Sequence, residues 1–150
     1  MMVNKMQNCK NSEGYSDPTA CDAIKHIHKE EKAVGNPAFR PLVYICSPYS
    51  GDMEANTAHA RRYCRYAIDS GYIPLAPHLY FPQFMIDSDP NERNLALFMD
   101  IVLLRKCQEV WVFGSVISTG MALEIAKAKK HNQKIRYFTQ KLQEVENICN

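Results

Sequence analysis

The chain is expected to fold as an α/β protein, an open doubly wound parallel sheet with helices on both faces. Three features carry that expectation: four short apolar runs of strand length, amphipathic helical stretches between consecutive runs, and turn residues closing each run. A strand, a helix and a further strand make a right-handed crossover between parallel neighbours. Three such crossovers in succession build an open sheet.

The first forty residues stand apart. Residues 1–16 are polar and lack apolar periodicity, so residues 1–40 read as an N-terminal extension, partly disordered, with one short helix. Asp17 caps that helix and Pro18 suits its first position. Ala23, Ile24 and Ile27 recur on one face, and Gly35-Asn36-Pro37 ends it. Cys21, His26 and His28 lie on it, but their spacing matches no zinc-ligand pattern. A surface helix is the better reading.

Residues 41–150 carry the regular pattern. Leu42-Val43-Tyr44-Ile45-Cys46 is a buried strand stopped by Ser47-Pro48. Ala60, Tyr63, Cys64, Ala67 and Ile68 then form the stripe of a helix that ends at Gly71. Tyr72 to Ala76 is a second strand, whose internal Pro74 places it at a bulge or near an edge. Leu95, Phe98, Met99, Val102 and Leu103 mark the next helix, and Val110 to Phe113 the third strand. A helix over 120–130 and a strand over 135–138 follow, with a further helix expected from Lys141. This is the flavodoxin or Rossmann type of arrangement.

Composition narrows the class. A chain of 150 residues with 46% hydrophobic and 23% charged residues is one globular domain rather than a disordered one. A net charge of +2, with scattered basic residues, gives no footprint for a nucleic-acid partner. Six cysteines without a CxxC pair, and no apolar core of a signal peptide, point to reduced thiols and a cytoplasmic protein. No apolar run reaches the ~20 residues that span a bilayer, so no membrane partner is expected.

Ligands of such sheets bind beyond the carboxyl ends of the strands. That rule selects Ser47-Pro48-Tyr49-Ser50-Gly51-Asp52, Pro77-His78-Leu79 and the segment 115–120. The first and third loops lead into helix amino termini, where free N–H groups and the helix dipole favour an anion such as phosphate. Turn and cap chemistry accounts for the same residues about equally well. Glu124 lies among Met121, Ala122, Leu123, Ile125 and Ala126, and Asp100 between Met99 and Ile101. Each alone reads as a solvated carboxylate. Together, beside an anion loop, they suit cleavage of a glycosidic bond through an oxocarbenium-like transition state.

From Leu42 to Phe138 the chain resembles the nucleoside 2-deoxyribosyltransferase-like superfamily, and in motif the 2'-deoxynucleoside 5'-phosphate N-hydrolases. Tyr44-Ile45-Cys46-Ser47-Pro48-Tyr49 is similar to that family's first strand and loop, and Ser118-Thr119-Gly120-Met121-Ala122-Leu123-Glu124 to its active-site signature. The resemblance implies a nucleophilic Glu124, a supporting Asp100, and Tyr44 holding Glu124 in register. It implies a nucleotide as the small-molecule partner, contacted by Ser47, Pro48, Tyr49, Gly51, His78, Ser118, Gly120 and Met121. Transferases of free nucleosides carry an aspartate at the position of Ser118, whereas a serine there suits a 5'-phosphate. The resemblance also implies a homo-oligomer, a dimer or larger. No cofactor and no metal are called for. The expected function is that of a nucleotide N-glycosidase; the alternative is a non-catalytic module that senses or sequesters a nucleotide through the same pocket.

Overall fold

The computed structural model describes residues 14–15, 18–33 and 39–146. The chain divides into two compact units, residues 1–39 and 40–150. The first contains α1 (Pro18–Ala33). Ile24 and Ile27 are exposed on it. The rest of the expected N-terminal extension lies outside the described residues. Cys21 is disulfide-bonded, which corrects the expectation of reduced thiols throughout. That expectation rested on cysteine spacing along the chain, which does not limit which cysteines approach one another. Cys46, Cys64 and Cys107 are free.

The second unit runs β1 (Leu42–Cys46), α2 (Met53–Asp69), β2 (Ile73–Leu75), α3 (Pro90–Leu104), β3 (Glu109–Phe113), α4 (Thr119–Lys130), β4 (Lys134–Phe138) and β5 (Glu144–Val145). Its sheet has the order β2-β1-β3-β4-β5. The first four strands pair in parallel and β5 is antiparallel to β4. This is the doubly wound α/β architecture that the apolar periodicity predicts.

Local chemistry explains the element boundaries. Gly51 takes a left-handed φ of 96°, open to glycine at little cost, and turns the chain into α2. The Asp52 carboxylate then accepts the Ala55 N–H at 3.0 Å as N-cap. The Asn56 amide donates to the carbonyls of Tyr49 and Ser50, at 3.1 and 3.0 Å, and so pins the loop after β1. Asp89 caps α3 through the Asn91 N–H, and Pro90 fills the first helical position. At its other end, the Gln133 amide donates to the carbonyls of Leu104 and Cys107, 2.8 Å each.

Two cores flank the sheet. Tyr44, Cys46, Val110, Val112, Met121 and Ile125 pack on one face. Val43, Ile45, Tyr63, Trp111, Phe113 and Phe138 pack on the other. Alternation along β1 and β3 sends successive side chains to opposite faces, and both faces are covered. Pro74 lies in the edge strand β2, which is where a residue without an N–H is tolerated. The helix expected from Lys141 is not formed. The segment instead turns at Leu142, with φ of 66°, and returns as β5 along the open edge of β4. Arg136 forks onto the Glu144 carboxylate at 2.8 and 2.7 Å, and the bond between strands outcompetes local helix propensity. Among the described residues no helix is long and apolar enough to cross a membrane.

Trp111 is the largest side chain of the second core and meets Phe138 at 5.0 Å and Tyr72 at 4.7 Å between ring centroids. Trp111→Ala should destabilise the protein by about 3–5 kcal/mol in a chemical denaturation experiment. Its face of the sheet is opposite to that of Tyr44, so the environment of Tyr44 should be unperturbed in the fraction that remains folded.

Candidate active site

Three elements bring two buried carboxylates together. Tyr44 points from β1 toward α4, where its hydroxyl donates to Glu124 Oε1 at 2.7 Å. Glu124 and Asp100 are each only 4% exposed, so neither is the solvated carboxylate that its sequence neighbours suggested. The narrow polar stripe of each helix faces the groove between α3, α4 and the carboxyl end of β1. Burial raises the pKa of Glu124, with hydrogen bonds from Cys46 and Tyr44 acting against it. Burial, and then the charge of Glu124, push Asp100 up to about 7. Asp100 therefore holds a proton at a pH where an ordinary aspartate has lost it.

Above these groups lies a cavity of about 450 Å³. Ser47, Asp100, Met121 and Glu124 form its base, and Ser118, Thr119 and Gly120 one rim. Tyr49 and His78 also line it and stack on one another, 5.1 Å between centroids and 15° between planes. Burial lowers the pKa of His78, so the ring is neutral near pH 7; Asp87 and the Ser47 backbone act weakly in the other direction. Ser47 Oγ, Asp100 Oδ1 and Glu124 Oε2 are buried without a hydrogen-bond partner in the protein. Unsatisfied buried polar atoms are costly, and three of them converge on one cavity.

Ser118 is the N-cap of α4, its Oγ accepting the Met121 N–H at 3.2 Å. By helix geometry the N–H groups of Thr119 and Gly120 have no intrahelical acceptor. They and the helix dipole give the rim a positive character. The expected residues Tyr44, Ser47, Tyr49, His78, Asp100, Ser118, Gly120, Met121 and Glu124 gather at this one place; Pro48 and Gly51 shape the loop after β1 but do not line the cavity. Sequence reasoning missed the cover contributed by Phe81, on the second of two short 3-10 turns (Pro77–Leu79 and Phe81–Gln83), and by Met85 and Ile86 just beyond it. Their only signal was the density of Pro and aromatic residues after β2.

With this geometry the class is clear: an α/β domain with paired buried carboxylates under a helix amino terminus. The chain belongs to the family described as a domain of unknown function, DUF7768, whose profile matches residues 41–138. No curated protein matches the sequence. Among solved structures the chain is similar to the 2-deoxyribosyltransferase of the psychrotolerant bacterium Bacillus psychrosaccharolyticus, described as a biocatalyst for the synthesis of nucleosides. The TM-score is 0.57 at 16% identity, over 71% of this chain and 77% of that one. That likeness is one of fold.

The Tyr44 hydroxyl is one of the two donors that oppose the burial of Glu124, and its loss has a definite sign. Glu124 has a folded pKa above its unfolded value, so its contribution to stability falls as pH rises from the unfolded toward the folded pKa. Tyr44→Phe raises the folded pKa further and extends that fall. The variant should lose about 1–3 kcal/mol, more at pH 8 than at pH 5, as thermal melts at the two pH values will show.

Proposed function

We propose that this chain is a nucleotide N-glycosidase, acting by hydrolysis or transfer on the N-glycosidic bond of a nucleoside 5'-monophosphate or related nucleotide. The observation that supports this best is the pairing, at the base of one cavity, of Glu124 anchored by Tyr44 with an Asp100 that titrates near neutrality. Glu124 Oε2 attacks the anomeric carbon. The carbon–nitrogen bond breaks, and the base departs with the bonding pair and takes a proton from Asp100. Water, or an acceptor base in the transfer reaction, then attacks the glycosyl ester. The Glu124 carboxylate leaves, and Asp100 receives the nucleophile's proton.

The 5'-phosphate lies in this reading at the α4 rim, on the Ser118 hydroxyl and the N–H of Gly120, with Ser47 completing the cradle. A carboxylate at position 118 would repel it. Tyr49 and His78 form the aromatic wall for base or sugar. A module that only binds the nucleotide would use the same groups without turnover.

Incubation with a panel of nucleoside 5'-monophosphates, with free base read by chromatography, separates the two. Base release that falls by at least about three orders of magnitude in Glu124→Gln, with ligand binding retained, supports the enzyme. Ligand-induced thermal stabilisation without any base leaves only the module. The pH–rate profile should be bell-shaped, its alkaline limb near the value of about 7 held by Asp100. Asp100→Asn should remove that limb and most of the turnover. Because the raised pKa of Asp100 costs stability as pH rises from about 4 to about 7, the same substitution should raise the melting temperature at pH 8.

The exposed apolar side chains of α3 and α4, Leu95, Phe98, Val102 and Leu123, support a homo-oligomer that covers them. Phe98→Glu should then shift the mass measured by light scattering toward the monomer. An unchanged mass would remove this surface as the contact.

A further inference from the structure

The charge around the cavity does not yet balance. Four carboxylates line it, Asp100 and Glu124 at the base and Asp87 and Glu92 near the mouth. His78 is neutral. A phosphate carries close to two negative charges near pH 7, and one helix terminus offers only about half a positive charge against it. Among the described residues a single cationic side chain lines the cavity, Arg93.

Its position follows from helix geometry. Arg93, Ala96, Leu97 and Asp100 recur on one face of α3 and all line the cavity. Seven residues at 1.5 Å per residue put Arg93 about 10 Å from Asp100 toward the amino terminus of α3. On α4, Ser118 lies about 9 Å from Glu124 in the same sense. Each helix links two parallel strands, so α3 and α4 both run opposite to the sheet and point the same way. The two helices pack against one another, and Asp100 and Glu124 are near enough for one to shift the other's titration. Arg93 and Ser118 therefore stand at nearly the same height above the carboxylate pair. Packed helices have axes about 8–10 Å apart, a gap that an extended arginine largely spans.

Arg93 is exposed and makes no ion pair among the described residues. Glu92, its neighbour in sequence, accepts the Ile86 N–H instead. At the base of the same cavity, Ser47 Oγ is 2% exposed and has no protein partner, a second sign that a polar ligand group enters here.

We infer that Arg93 is the cationic ligand of the substrate's phosphate, closing over it from α3 while the α4 amino terminus and Ser118 hold it from the other side. The inference rests on the nucleotide reading above and deepens it. The planar guanidinium donates two parallel hydrogen bonds to two phosphate oxygens, which a lysine cannot reproduce. It also offsets the like charge of the lining, so that discrimination between a nucleotide and its nucleoside comes mainly from this residue.

Calorimetric titration tests it with the nucleoside 5'-monophosphates of both sugars, their matching nucleosides, and four proteins: the parent chain, Arg93→Gln, Arg93→Lys and Ser118→Asp. The parent should bind at least one monophosphate more tightly than its nucleoside. Arg93→Gln should weaken that monophosphate on the order of 10- to 100-fold while changing the nucleoside by less than about twofold, and Arg93→Lys should recover part of the loss. Ser118→Asp keeps a good N-cap and should also weaken the monophosphate selectively. A phosphate preference abolished by Ser118→Asp but retained in Arg93→Gln overturns the role of Arg93 and leaves the nucleotide reading standing. A parent chain that binds no monophosphate, or binds it no better than the nucleoside, overturns both.

Discussion

Two carboxylates held out of water at the carboxyl end of β1 set the terms for the rest of this domain. Burying an ionised carboxylate is expensive, and here two share one pocket. The protein meets the cost in two ways. It raises the pKa of Asp100 until a proton is held near neutrality, and it gives Glu124 a short hydrogen bond from a tyrosine that is itself completely buried. Carboxylates that apolar side chains could replace to the benefit of stability are kept here, and both line the cavity.

The surrounding elements make sense as support for that arrangement. Tyr44 and Cys46 lie on the same face of β1, two residues apart; Tyr44 donates to Glu124, and both act against the rise that burial gives its pKa. Gln133, from the segment between α4 and β4, ties down the carboxyl end of the helix that carries Asp100. The loop after β1 is tied to α2 by Asn56, through the carbonyls of Tyr49 and Ser50.

Much of this was legible in the sequence. Alternation and helical periodicity reveal the four parallel strands, and the switch-point rule then selects the loops that line the cavity. The burial of Asp100 and Glu124 was not legible, because the apolar neighbours of a helical carboxylate say nothing about which tertiary groove its polar stripe meets. The cover over the pocket was missed for a similar reason: short 3-10 turns have no extended periodicity to recognise. The tail was misread because a two-residue strand owes its existence to the ladder of β4 and to Arg136, not to its own propensity.

That short return strand has a further consequence, for association in the crowded cell. An open sheet has two raw margins, each a row of free backbone groups on which another chain can template itself. In this protein both margins are blunted. On one side Pro74 removes a donor from β2, and on the other β5 shields part of β4 and is then clamped by the Arg136–Glu144 fork. A five-stranded sheet this small would otherwise be prone to stack edge to edge. The guarding of its two edges therefore rests on one proline and on the ion pair that holds β5 to β4.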